Sequence, residues 1–160
     1  KMGWVVSTIS FDDNHIRLIG YNIEGAINDA LVAAAEISEH VIELKLSFSA
    51  LKDNDLNNLR KFKNLEKLWL DHTDISDNAL KQVTALNNLG YLNIVNTKTT
   101  ASGVKNLMNL PNLKMIYLQG IKITTDERLA LESIKTNVNL YFGDSMKSVI
   151  TDTIFVKKAE

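Results

Sequence analysis

Four segments of this chain start 24 residues apart and repeat one pattern of apolar positions: VIELKLSFS from Val41, LEKLWLDHT from Leu65, LGYLNIVNT from Leu89 and LKMIYLQGI from Leu113. One more step of the same length reaches NVNLYFGDS at Asn137, a degraded fifth copy. A unit this short cannot bury its own apolar face, so a fixed period of this length implies a solenoid in which each unit covers the next.

Within each segment, positions one, four and six are apolar: Val41, Leu44, Leu46; Leu65, Leu68, Leu70; Leu89, Leu92, Ile94; Leu113, Ile116, Leu118. Positions four and six lie two apart, so they share one face of a short strand, while position five (Lys45, Trp69, Asn93, Tyr117) faces the other way. The remainder of each unit steps by three, as a helical face does: Leu56, Leu59, Phe62; Leu80, Val83, Leu86; Val104, Leu107, Leu110; and a poorer pair, Leu131 and Ile134. Asp53, Asp77, Ser102 and Thr125 stand near the helix starts, where side-chain oxygens cap free amides. Pro111 stops the third helix. Repeated right-handed β-to-α crossovers predict an α/β solenoid with a parallel sheet on its concave face and short helices on its convex face.

The period divides the chain into three parts. Residues 1–39 precede it and read as an N-terminal cap: a β-hairpin of Trp4–Ser10 and His15–Gly20 around Asp12-Asp13-Asn14, then a helix over Gly25–Ile37. Residues 40–136 hold four full repeats. Residues 137–160 hold the degraded fifth copy and a C-terminal cap, with Val149-Ile150 and Ile154-Phe155-Val156 as candidate closing strands. Eighteen basic against nineteen acidic side chains give no global field to draw in nucleic acid or an anionic membrane. The longest apolar run, Ala30–Ala35, is far too short to span a bilayer, so no membrane insertion is expected of this segment. A strand that opens at Trp4 with no leader suggests a piece of a larger protein.

The phrases Asp71-His72-Thr73-Asp74-Ile75-Ser76-Asp77-Asn78-Ala79-Leu80 and LGYLNIVNT resemble bacterial leucine-rich repeats of the L-x-x-T-x-I-T-D-x-G-L type, over about residues 40–144. The resemblance implies a leucine-rich-repeat right-handed superhelix. The phrases around Trp4 and Trp69 are similar to the C-terminal tails of larger envelope proteins, some with a cytochrome-c-type domain, which implies a cell-envelope or periplasmic setting. With no C-x-x-C-H motif and no cysteine, no haem or other cofactor carries over. The position that often holds Asn in such repeats is Ser49, Thr73, Thr97 and then Ile121, so a polar ladder should end at the fourth copy.

Solvent-facing positions three, five and seven form rows across the sheet: Glu43, Lys67, Tyr91, Met115, Asn139; Lys45, Trp69, Asn93, Tyr117, Tyr141; Ser47, Asp71, Val95, Gln119, Gly143. From these rows the candidate binding surface is Lys67, Trp69, Asp71, Tyr91, Asn93, Met115, Tyr117, Gln119 and Tyr141. Aromatic side chains bury much area at low entropic cost and favour binding hot spots; alternatively, they fill the face by packing on one another. Five strands cover about 20 Å, so the face offers roughly a few hundred Å², less than the about 800 Å² per partner of a standard interface. A protein partner, or another domain of the parent chain, would therefore also use the rim; a glycan across Trp69, Tyr91 and Tyr117 would fit the area itself. A purely structural spacer or dimerisation element would leave the face without a ligand.

The remaining chemistry is sparse. Asp71-His72 lacks a third metal ligand in sequence reach, and Asp12-Asp13-Asn14-His15 is what a turn asks for in any case. No phosphate-binding loop, dinucleotide fingerprint or nucleophile–base pair occurs, so no catalytic residue and no cofactor is expected.

Overall fold

The 24-residue period becomes a ladder of paired strands. The computed structural model describes residues 3–9, 14–21, 27–134 and 136–143. Among these residues seven strands form one sheet in chain order: β1 (Gly3–Thr8), β2 (Ile16–Tyr21), β3 (Val41–Lys45), β4 (Lys67–Trp69), β5 (Tyr91–Asn93), β6 (Met115–Tyr117) and β7 (Asn139–Tyr141). β1 and β2 pair antiparallel, and every later pair is parallel. From β3 onward the register follows the period without slippage, so Leu44 lies opposite Leu68, then Leu92, Ile116 and Leu140. β2 lies off the period: Arg17 pairs Glu43 after a register shift at Ile16/Arg17. The degraded fifth copy does form its strand.

Positions four and six make the core. Leu44, Leu46, Leu68, Leu70, Leu92, Ile94 and Ile116 are 0% exposed, and a fully buried side chain of this size contributes about 1.5–3 kcal/mol. Four short α-helices are found among the described residues: α1 (Ile27–Ala34), α2 (Asp77–Val83), α3 (Ala101–Leu107) and α4 (Thr125–Glu132). Leu31, Leu80, Val83, Val104 and Leu107 bury their apolar faces against the sheet's core side, whereas in the last repeat Leu131 is buried and Ile134 only half-buried. None of these helices is long and apolar enough to cross a membrane.

The helix of the first full repeat is not α but 3₁₀, over Asp53–Lys61. Its sequence, DNDLNNLRK, is rich in Asn and Asp, which are poor helix formers. Leu56, Leu59 and Phe62 recur every three residues, the repeat of a 3₁₀ turn, which stacks all three on one buried line.

Capping also differs from expectation. The residues that cap α2, α3 and α4 are Ser76, Thr100 and Thr124, one, two and one residues before those predicted. Asp53 and Asp77 instead reach into the following repeat. Asp53 accepts from the Ser76 N–H (2.7 Å) and hydroxyl (2.5 Å), and Asp77 from the Thr100 N–H (2.8 Å) and hydroxyl (2.6 Å). Ala101 breaks this series, and Thr124 is held within its own repeat by Glu127 at 2.8 Å. The Thr124 amide and hydroxyl hold the exposed Glu127 carboxyl below its ordinary range.

Two further sets of hydrogen bonds recur with the period. Ser49, Thr73 and Thr97 donate to the carbonyls of Leu46, Leu70 and Ile94 at 2.6–2.8 Å, and the series ends at Ile121 as expected. Asn64, Asn88 and Asn112, each just before a repeat's first leucine, tie repeat to repeat by donating to the carbonyls of Glu39, Lys63 and Asn87 at 2.8–3.0 Å. The Asn-Leu pair at three equally spaced positions is visible in the sequence, but spacing alone does not give it this role. The candidate turn residues Asp12 and Asp13 and the closing strands at Val149–Ile150 and Ile154–Val156 lie outside the described residues.

Candidate functional site

Alternation along β3–β7 sends the side chains that are not in the core to the opposite, accessible face of the sheet. Parallel register then sets those side chains in rows. One row reads Arg17, Glu43, Lys67, Tyr91, Met115, Asn139, and its neighbour Ile19, Lys45, Trp69, Asn93, Tyr117, Tyr141. Strands β3 to β7 thus bring Lys67, Trp69, Tyr91, Asn93, Met115, Tyr117 and Tyr141 onto one surface, with Gln119 just beyond the end of β6.

The aromatic members form one continuous run. Trp69 leans on Tyr91 with ring centroids 5.1 Å apart, Tyr91 on Tyr117 at 5.2 Å, and Tyr117 stacks on Tyr141 at 4.7 Å and 12°. All four are half-buried. Mutual packing is therefore a property of this face, and the rings turn toward one another rather than lying flat as open platforms.

That packing leaves a titration signature. Burial, then the neighbouring Tyr117 and Asp71, raise the Tyr91 phenol to about 12 from its ordinary 10.0, against a hydrogen bond with Trp69 that works the other way. Burial and Tyr141 likewise raise Tyr117. Because the folded pKa of Tyr91 is the higher one, its contribution to stability is complete below pH 10.0 and is lost as pH rises toward 12. Ultraviolet titration should resolve one tyrosine ionising near 12 in the native protein, and Tyr91→Phe should remove that step. A Tyr91→Phe protein that keeps it would place the step on another ring.

Two expectations about exposure are corrected. Glu43, predicted to face solvent, is 3% exposed. It is clamped by Arg17 from β2 and by Lys67 from β4, the latter at 2.8 Å. Burial alone would push its carboxyl up, but the hydrogen bonds and charges of Arg17 and Lys67 outweigh that and hold it below the ordinary value. Asp71, predicted as part of the binding surface, is 7% exposed. Its oxygens accept from the Ser47 hydroxyl (2.6 Å) and meet the His72 Nδ1 (3.1 Å), so it braces the end of its strand rather than meeting solvent.

Beyond Asp71 lies a row of left-handed residues that the period marks but does not explain: Phe48, His72 and Asn96 at φ of 56°, 56° and 52°, then Gly120 at 75°. Gly and Asn tolerate this region and His is enriched there, whereas the bulky Phe is an outlier. Phe48 stacks on His72 at 4.0 Å, and the Asn96 amide meets the His72 Nε2 at 2.9 Å. Phe48 nevertheless stays 73% exposed, the most of any large apolar side chain described. Gly120 fits because a side chain there would collide with Asn96.

At the N-terminal end of the strands, Gly90 leaves a gap in a row between Glu66 and Lys114. The result is a shallow groove of about 470 Å³ lined by Lys67, Asn88, Tyr91 and Met115 among others. Among the described residues no three His, Asp or Glu side chains converge as a metal site would require. No protein-family model matches the chain, and no curated protein matches its sequence.

Proposed function

We propose that the chain is a stack of leucine-rich repeats serving as a non-enzymatic binding module, which recognises a protein partner or another domain of its parent chain. In this reading the sheet lines the concave side of a right-handed superhelix and the short helices its convex side. The unbroken 24-residue register from β3 to β7 supports the repeat reading. The observation that carries the binding reading is the run Trp69–Tyr91–Tyr117–Tyr141, continuous across four strands with no ring fully buried. Rings fixed by their neighbours lose little freedom on association and present polar edges, the combination that suits protein recognition.

The same geometry disfavours a glycan. Sugar rings stack on open aromatic faces, whereas here Tyr117 and Tyr141 stack face to face and Trp69 and Tyr91 are tilted against their neighbours. A glycan array should therefore give no signal above background with folded protein. Trp69→Ala should keep the fold, since Trp69 lies outside the core, yet weaken capture of a protein partner about tenfold, as loss of a hot-spot aromatic does. Capture unchanged by Trp69→Ala would sink the proposal.

A further inference from the structure

The accessible face is segregated by charge, and that segregation describes its partner. Across β2–β4 the rows hold Arg17, Lys45 and Lys67, whereas across β5–β7 they hold Tyr91, Asn93, Met115, Tyr117, Asn139 and Tyr141, with no ionisable acid or base other than the tyrosines. Of the carboxylates at the charged end, Glu43 and Asp71 are withdrawn, while Glu66 stays exposed on the N-terminal rim of β4 beside the groove. Glu43 and Asp71 have side chains 4% and 10% exposed, while those of Arg17 and Lys67 are 43% and 47% exposed and Lys45 is exposed as well. Glu43 thus holds two cations from beneath, so within these two rows the charged groups that meet solvent are Arg17, Lys45 and Lys67 beside Trp69, with Glu66 apart from them on the rim. A fixed cation pair whose counter-ion lies under it needs little further ordering to receive an anion.

Resting on the reading of this face as a protein-binding surface, we infer that its partner presents an extended segment with an acidic cluster next to apolar or aromatic residues. The acidic cluster lies over Arg17, Lys45 and Lys67, and the apolar residues lie along Trp69, Tyr91 and Tyr117. Charge complementarity at one end and an uncharged, ring-lined surface at the other fix the direction in which such a segment lies.

The test uses the full chain and fluorescein-labelled synthetic peptides, read by anisotropy. One peptide joins four glutamates to leucine, tyrosine, phenylalanine and leucine; in two others lysine or serine replaces the glutamates; a fourth keeps only the glutamates. The acidic–apolar peptide should bind about tenfold tighter than the serine peptide at low salt, and this advantage should shrink at high salt as charges are screened. The lysine peptide should bind more weakly than either. Lys45→Glu should erase the advantage while leaving the serine peptide's affinity in place; Lys45→Gln does so in part and serves if the reversal perturbs folding. Trp69→Ala should weaken both peptides.

Equal binding of the acidic and serine peptides, both lost in Trp69→Ala, would overturn the charge pairing and leave the binding face standing. No binding of any peptide by folded protein would overturn both. Equal binding of the glutamate-only peptide, or binding to phosphatidylserine vesicles that Trp69→Ala leaves unchanged, would assign the cations to a purely electrostatic partner and overturn the inference.

Discussion

Leu92→Ala should cost about 2–5 kcal/mol and lower the melting temperature of the whole domain rather than loosen one repeat. Leu92 is 0% exposed at the middle of the sheet, between Leu68 and Ile116 in register on either side. Its strand is hydrogen-bonded to a neighbour on both edges, so the backbone cannot close over the space that truncation opens. Stability in a stack of similar units passes from neighbour to neighbour, so a defect at the centre uncouples the two halves, whereas one at an end frays only that end. Leu131→Ala, in the last helix, should cost less despite similar burial. Thermal and denaturant melts of the two variants check this, and a Leu92→Ala protein that melts like the parent would refute the assignment of the core face.

Gly103→Ala is expected to destabilise by about 1–3 kcal/mol through overpacking, although helix propensity alone favours alanine by about 1 kcal/mol. The sign of the result therefore separates packing from propensity. A methyl at position 103 would stand on the Asp77 Oδ1 and within 2.9 Å of the Leu80 Cδ1. Leu80 is 1% exposed, and Asp77 cannot swing aside without breaking its bonds to the Thr100 amide and hydroxyl. Removing the obstruction should restore part of the loss, so Asp77→Ala combined with Gly103→Ala should be less destabilised than the sum of the two single changes. Strict additivity, or a Gly103→Ala protein more stable than the parent, would mean that α2 and α3 lie farther apart than described.

Much of this fold was legible because the period counts residues and strands count them too. Val41, Leu65, Leu89 and Leu113 set the phase, and with it the alternation that sends Leu68 inward and Trp69 outward. What the period could not carry was anything supplied from off the period or from the next repeat. Glu43 is buried because Arg17 lies opposite it, and Arg17 belongs to β2, whose offset to β3 is different. Asp53 and Asp77 look like caps of their own helices, but their oxygens serve the cap residue of the following turn. Asp71 is hidden by its bonds to Ser47 and His72, a matter of side-chain geometry that one row of letters does not contain.

The left-handed pair Phe48 and His72 was likewise visible only as a row of letters. Four aromatics on one face could be read from spacing, but which way their rings turn could not, since ring orientation is set by neighbours across strands. The proposal of a protein rather than a glycan as partner rests on the turn of those rings.

The most direct test of the binding reading is hydroxyl-radical footprinting of the chain alone and with the protein partner that it captures. Oxidation of Trp69, Tyr91, Tyr117 and Tyr141 should fall on binding, while exposed side chains on the helical side, such as Leu129, stay as reactive as before. Protection at Leu129 with the four rings unchanged would place the partner on the opposite side of the molecule and contradict the account.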